Sequence, residues 1–323
     1  MFTAIYHKDN RSYIKWRLTE ACNYKCSYCI RRISSGYIQD EGELTKDWKM
    51  CKNVIPSVNR LIEELPGCVK LDLIGGEVTL LPLTELIYKL TSSKLKVLHI
   101  TTNLSASTSY YVELLELCKS RGIRFELTAS YHSEFTKLSV YIDKLNILKE
   151  YIGNYFGIKG ETVFHTGNFD NIYEYISNMK TLGLSYNIDV DKTQYVCDLP
   201  EMDLTYKKET VFYVYMEDGS VQSYSSKTEA VRKLSGGHKY ILTKSMYCTR
   251  GYNFIYIDKN NVIGPTLSRI NKGSVCKHII PIQYYHVLRH PIQCTQTGCT
   301  LCGHMSIAQD KNDLINYVNG GLK

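Results

Sequence analysis

Three thiols fall within eight residues near the start of the chain, in Cys22-Asn23-Tyr24-Lys25-Cys26-Ser27-Tyr28-Cys29. This C-x3-C-x2-C spacing lets one short loop direct three sulfurs at one point. Thiolates are soft donors that suit iron–sulfur clusters, zinc or Cu(I). Three are one too few for a closed tetrahedral site or a cubane cluster. Either a distant residue supplies the fourth ligand, or one metal position stays open for chemistry. A second group, Cys294-x4-Cys299-x2-Cys302, can wrap another centre with help from a remote ligand. Its spacing matches the plant-type [2Fe–2S] pattern, yet no Cys follows Cys302. The fourth ligand must then lie upstream, at Cys248 or Cys276. A structural zinc knuckle uses the same residue types. Cys51, Cys68 and Cys118 read as small buried hydrophobes.

The elements that must position these thiols follow a regular rhythm. From Tyr13, the run YIKWRLTEAC reads as a strand entering the first cysteine loop. Residues 45–65 carry Trp48, Cys51, Val54, Val58, Leu61 and Leu65 as one apolar helical stripe, with Pro56 as a kink. Strands are predicted at Val69–Ile74, Lys96–Thr101, Arg124–Ser130, Thr162–His165 and Leu184–Val190. Helices are predicted at 82–93, 107–121, 136–151 and 169–181, the second ending at Gly122 and the last at Gly183. Alternating β and α elements imply a parallel sheet with helices outside. Ligands in such sheets sit at the carboxyl ends of the strands. Polar residues cluster at those ends: the cysteine loop, Gly75-Gly76-Glu77, Thr102-Asn103 and Ser130-Tyr131-His132. The glycines let the backbone approach a ligand or adopt positive φ, and Glu77 can accept from an ammonium. The same residues also serve plain βα turns and helix caps. Beyond Asp191 the alternation stops. Two hairpins are predicted there, turning at Asp218-Gly219 and Asn260-Asn261, with a helix at 227–235. The domain boundary is placed near residue 195, giving domains 1–195 and 196–323.

The cysteine loop resembles that of the radical S-adenosylmethionine (AdoMet) superfamily, whose pattern also has an aromatic before the last cysteine, here Tyr28. The resemblance implies that Cys22, Cys26 and Cys29 hold three irons of a [4Fe–4S] cluster. AdoMet would chelate the fourth iron and be cleaved reductively to a 5′-deoxyadenosyl radical that abstracts a hydrogen atom from substrate. It implies an α/β fold, a partial (β/α)6 TIM-like barrel, with Gly75, Gly76 and Glu77 at the AdoMet amino group. Thr102, Asn103 and Ser130 would contact its ribose and carboxylate, and His132 would face the same pocket. The run CTRGYNFIYID, within residues 245–305, resembles the start of the SPASM/Twitch extension. That resemblance implies a small C-terminal α+β domain with an auxiliary [4Fe–4S] cluster drawn from Cys248, Cys276, Cys294, Cys299 and Cys302. Where the family has a second cysteine after the hairpin, this chain has Gly264-Pro265-Thr266, and Cys276 is a candidate replacement beside Cys248. Cys197, just past the last barrel strand, is a candidate hydrogen-atom donor.

Enzymes with this extension often modify ribosomally made peptides by thioether or carbon–carbon links, epimerisation or oxidation. Others oxidise or rearrange small alcohols or sugars. Only 21 residues precede Cys22, so no separate leader-binding domain is expected and a peptide's leader would be read elsewhere. A reductase or flavodoxin-type electron donor is implied as partner. A zinc-binding interaction protein is the non-enzymatic alternative. At 44% apolar and 22% charged the chain is ordinary for a globular protein. It has no signal peptide or membrane-span pattern, so a cytoplasmic location is expected. Twelve cysteines in a reducing compartment point to metal binding or catalysis. The net charge of +7 includes no dense Lys/Arg run, so no nucleic-acid partner is expected.

Overall fold

The computed structural model describes residues 2–7, 10–29, 41–165, 169–190, 205–206, 212–224, 234, 246–249, 252–263, 280–293 and 306–320. In chain order the elements begin with β1 (Phe2–His7), β2 (Ser12–Thr19), α1 (Glu41–Glu64) and β3 (Val69–Gly75). Next come a 3-10 turn at Val78–Leu80, α2 (Leu83–Lys89), β4 (Leu95–Thr102) and α3 (Thr108–Ser120). They continue with β5 (Arg124–Tyr131), α4 (Leu138–Lys149), β6 (Phe156–Phe164), α5 (Phe169–Leu182) and β7 (Ser185–Val190). Shorter strands follow: β8 (Thr205–Tyr206), β9 (Phe212–Met216), β10 (Val221–Tyr224), β11 (Tyr247–Cys248), β12 (Phe254–Ile257) and β13 (Val262–Ile263). The last elements are β14 (Ile280–Pro281), β15 (Ile292–Gln293), β16 (Ile307–Ala308) and α6 (Lys311–Gly320).

The protein is α/β, with one mixed, mostly parallel sheet. Strands β2 to β7 lie side by side in sequence order and all run parallel. β12 adds a parallel strand beside β2, and β8 closes the other side antiparallel to β7. Among the described residues no pairing joins the two edges, so the sheet is open. The alternation of the strands explains its two faces. Ile14, Trp16, Leu18, Leu71, Leu73, Leu98, Ile100, Phe125 and Leu127 point into the principal core with the inner sides of the helices. The alternate positions, Lys15, Arg17, Asp72, His99, Glu126, Thr128 and Ser130, make a polar second face. Helix α1 runs through Pro56 and buries Cys51, Ile55, Val58, Leu61 and Ile62. Helices α3 and α5 stop where Gly122 and Gly183 adopt φ of 65° and 67°, the left-handed cap that glycine takes without steric cost.

A second sheet, in the order β10-β9-β1-β16-β11-β15, is antiparallel throughout. It packs over Tyr13 of β2 and Phe254 and Tyr256 of β12, with Ile5, Phe212, Val214 and Ile307 in the shared core. Two differences from the sequence reading stand out. β6 spans nine residues rather than the short Thr162–His165 stretch. The hairpin at residues 254–263 joins the main sheet through β12 rather than standing apart. The boundary near residue 195 lies outside the described residues, as does the helix at 227–235 apart from Leu234, which is helical. Among the described residues no helix is long and apolar enough to cross a membrane.

Candidate functional site

The cysteine loop leaves the carboxyl end of β2 and is pinned at its root. Thr19 Oγ1 donates to Asp47 Oδ2 at 2.5 Å and accepts from the Ala21 amide at 2.9 Å. The Gly76 amide donates to Thr19 O at 2.8 Å, and the Glu77 amide to Ala21 O at 2.7 Å. These bonds draw the end of β3 against the loop so closely that a Cβ on Gly76 would run into the Ala21 and Glu20 carbonyls. A Cβ on Gly75 would lie 2.7 Å from Thr19 O. The close approach that the two glycines permit is therefore to the chain's own backbone, and neither has positive φ.

Glu77 is fully buried. Its Oε1 accepts from the Thr79 amide at 3.0 Å, Thr79 Oγ1 at 2.6 Å and Thr102 Oγ1 at 2.8 Å. Its Oε2 accepts from the Asn103 amide at 2.6 Å. Three of these donors share Oε1 and one takes Oε2, so the carboxylate is tied chiefly through one oxygen. The residue caps the 3-10 turn and ties the end of β3 to the end of β4. Asn103 passes the connection on: its Nδ2 donates to Asn23 Oδ1 at 2.8 Å and points at Cys22 Sγ at 3.8 Å. Next to it Leu104 holds φ at 58°, a left-handed conformation that a bulky side chain adopts only when its surroundings impose it.

The far side of the loop is gripped by the segment after β5, which sequence reasoning represented only by His132. Tyr24 stacks on Phe135 at 5.0 Å, and its hydroxyl lies 2.7 Å from Thr136 Oγ1. The Ser27 amide donates to Glu134 Oε2 at 2.8 Å, and its hydroxyl donates to the other carboxylate oxygen. His132 Nδ1 lies 2.9 Å from Tyr28 OH and 3.4 Å from Cys26 Sγ. Tyr28 also packs against His165, with ring centres 4.6 Å apart. No spacing rule singles out Glu134, Phe135 or Thr136, because they matter only once β5 lies three strands from the loop. Ser130 is half-buried on the polar face of β5, opposite Glu161.

Burial pushes the Cys26 thiol up to about 12; the Tyr28 hydrogen bond opposes this, and Cys22, Cys29 and Glu134 add to it. Burial likewise drives His132 down to about 4, against a smaller opposing effect of Glu134. The thiols are thus close enough to resist one another's ionisation, the electrostatic condition that a bound cation relieves. Among the described residues no three His, Cys, Asp or Glu side chains are gathered as a metal-binding group. The donor chemistry of the loop fits a soft metal centre, and its sulfurs share one loop without converging on a point.

No family profile matches the chain. Over 81 residues it is 30% identical to the S-adenosylmethionine-dependent nucleotide dehydratase of Psychrobacter lutiphocae, a match covering 21% of this chain and 24% of that protein. The chain thus spans about a quarter of the curated relative it matches. Streptococcus suis SuiB, solved bound to precursor peptide SuiA, aligns with a TM-score of 0.40 at 13% identity, covering 56% of this chain and 40% of that one. SuiB alone gives 0.37 at 13% identity, covering 83% and 63%. SuiB bound to S-adenosylmethionine gives 0.32 at 13% identity over the same shares.

The remaining cysteines divide cleanly. Cys51 and Cys118 are buried in the main core, and burial pushes each thiol up to about 12. Cys68 is exposed, which corrects its reading as a buried hydrophobe; it lies just before β3, where its carbonyl accepts from the Ser12 amide. Cys248 sits on β11 within the apolar core of the second sheet, opposite Ile292 and Ile307. Cys197, Cys276, Cys294, Cys299 and Cys302 lie outside the described residues.

Proposed function

We propose that this chain is a radical AdoMet enzyme in which Cys22, Cys26 and Cys29 hold a [4Fe–4S] cluster and AdoMet completes its coordination. One observation carries the reading. The three-cysteine loop stands at the carboxyl end of a parallel strand, flanked by the carboxyl ends of β3, β4 and β5, where ligands of such sheets bind. The local similarity to an AdoMet-dependent dehydratase agrees with it. When bound, such a cluster supplies the electron for reductive AdoMet cleavage. The chain itself fixes the loop. Gly75 and Gly76 admit its backbone, Glu77 locks Thr102 and Asn103, and Asn103 holds Asn23. Tyr28 and His132 pack beside Cys26, and Ser130 lies on the polar face of β5 two residues before His132. An AdoMet ammonium would meet Glu77 at Oε2, which accepts only from the Asn103 amide, and would need a path to a fully buried carboxylate.

In the same reading the sheet is part of a (β/α)6 partial barrel. Residues 196–323 form a SPASM/Twitch-like domain, with a second cluster drawn from Cys248, Cys276, Cys294, Cys299 and Cys302. Cys197 is a hydrogen-atom donor, and a flavodoxin-type protein the electron source. The resemblance of the extension favours a ribosomally made peptide as substrate. The polar second face of the sheet favours a small hydroxylated molecule as the second reading.

The test is anaerobic incubation with AdoMet and a strong reductant. Formation of 5′-deoxyadenosine is expected, and its loss when Cys22, Cys26 and Cys29 are changed together to Ala. That triple variant should retain about four irons in a cluster of complete thiolate ligation, and Cys299→Ala with Cys302→Ala should remove them. Undiminished cleavage in the triple variant ends the radical reading, and a folded triple variant without iron ends the two-cluster reading.

A further inference from the structure

Three side chains on the polar face of the main sheet form a chain that the cysteine loop does not use. Asp72 of β3, His99 of β4 and Thr128 of β5 lie on adjacent strands, pointing away from the helices. Asp72 Oδ1 meets His99 Nδ1, and His99 Nε2 lies 2.8 Å from Thr128 Oγ1. Lys15 of β2 approaches the other carboxylate oxygen at 3.2 Å. An ionised carboxylate only accepts, so Nδ1 carries the proton. In the neutral form of the ring the lone pair of Nε2 faces Thr128, whose hydroxyl donates to it. The Asp72 side chain is 5% exposed and that of His99 16%, so a buried anchor holds a ring that only partly reaches the face.

The charges around the ring are already matched. Lys15 pairs with Asp72, Lys70 lies 2.6 Å from Glu126, and Arg124 lies 3.3 Å from the other oxygen of Glu126. Glu161 of β6 is held toward its neutral form by burial and by Asp189, against Lys159, an Asn187 hydrogen bond and His99. This face therefore offers an imidazole lone pair and hydroxyls rather than an unsatisfied charge. We propose that His99 anchors an uncharged hydroxyl compound, a sugar or polyol in chemical class, one of whose hydroxyls takes the position that Thr128 Oγ1 holds here. Thr128 is in this view an internal stand-in for the ligand, and Ser130, two residues on, lies on the same face for a second hydroxyl. The inference bears on the small-molecule reading above, yet it stands on the sheet face alone. Failure of the AdoMet chemistry would leave it intact.

The experiment reads the histidine ring nitrogens of the intact protein by 15N NMR, with His99 assigned through His99→Gln, at a pH above the ordinary imidazole range. The tautomer protonated at Nδ1 is expected. Added glycerol should shift the Nε2 resonance, whereas sodium acetate and methylammonium chloride at equal concentration should not. Thr128→Ala removes the internal competitor and leaves its position open, and should tighten glycerol binding about fivefold, the worth of one ordinary hydrogen bond. Thr128→Ser should behave as the parent. A tautomer protonated at Nε2, an equal response to acetate, or no response to glycerol in the parent and the Ala variant would overturn the proposal. If the Ala variant does not fold, the parent's tautomer and its glycerol response decide.

Discussion

Gly76 and Glu77 are neighbours that a motif reading treats as one ligand-binding unit, and their surroundings separate them. Gly76 is enclosed by the Glu20 and Ala21 carbonyls, so Gly76→Ala must push the root of the cysteine loop away. A loss of roughly 3 kcal/mol is expected, at the upper end for overpacking. Gly67→Ala is the control: its added Cβ meets nothing within 4 Å, and only the φ of 63° resists, at about 1–2 kcal/mol. Urea unfolding of the two variants measures the contrast, and equal losses would remove the steric argument. For Glu77→Gln, the amide end would face one of four donors with a donor of its own. Charge-assisted bonds are each worth about 1.5–3 kcal/mol, so a fall in stability of about 2 kcal/mol is expected before any ligand is added. Unchanged stability would mean that Glu77 serves a ligand alone. The sequence marked both residues as important. It could not reveal that their partners are Ala21, Thr102 and Asn103, because those contacts join segments up to 56 residues apart.

At the scale of elements, alternation and punctuation were legible wherever apolar periodicity was strong. The β3, β4, β5 and β7 strands and the helices ending at Gly122 and Gly183 lie within a few residues of expectation. β6 was truncated because FGIKGETVF carries two glycines and a lysine, which hide the strand pattern. Gly160 is small because Tyr175 and Met179 of α5 press on it, a constraint set by tertiary packing. β1 and α6 were missed since each is short and becomes apolar-faced only against the other sheet elements. The β5–β6 pair gives an opposed pH test. Burial alone would raise Glu126, but Lys70 brings its net value below the ordinary carboxylate range. Its contribution is present above the unfolded value and lost as pH falls. Glu161 is raised, chiefly by burial. The folded state then holds a proton that the unfolded state has lost, so its contribution is present at low pH and lost as pH rises through the folded value. Glu126→Gln should cost about 1–2 kcal/mol at neutral pH, with the deficit shrinking on acidification. Glu161→Gln should stabilise at neutral pH and flatten the decline toward it. Stability curves across the acidic range check both signs, and parallel curves for the two variants would refute the assignment.

At the scale of the molecule, the two sheets exchange strands. β1, from the beginning of the chain, lies between β9 and β16, while β12 extends the main sheet beside β2. Trp16 of β2 is fully buried, and its indole N–H donates to Asn261 Oδ1 at 3.3 Å, across 245 positions. Such interleaving makes each sheet a structural support of the other, and it predicts one cooperative unfolding event. The chain has only two tryptophans, Trp16 and Trp48, one on β2 and one on α1. Tryptophan fluorescence therefore reports the main sheet and its helix, whereas far-ultraviolet circular dichroism reports both sheets. Ile5 is fully buried in the second sheet, opposite Val214 and Ile307. Ile5→Ala opens a cavity there and should cost about 2–5 kcal/mol. If the sheets are coupled through β12, the fluorescence midpoint in urea falls as far as the dichroism midpoint, although no tryptophan touches the lesion. If the second sheet is an independent unit, dichroism acquires an early transition while the fluorescence midpoint stays in place. That outcome would mean the packing of Ile5, Phe212, Val214 and Ile307 on Tyr13, Phe254 and Tyr256 carries little load, and that the cysteine loop at the end of β2 is insulated from the second sheet.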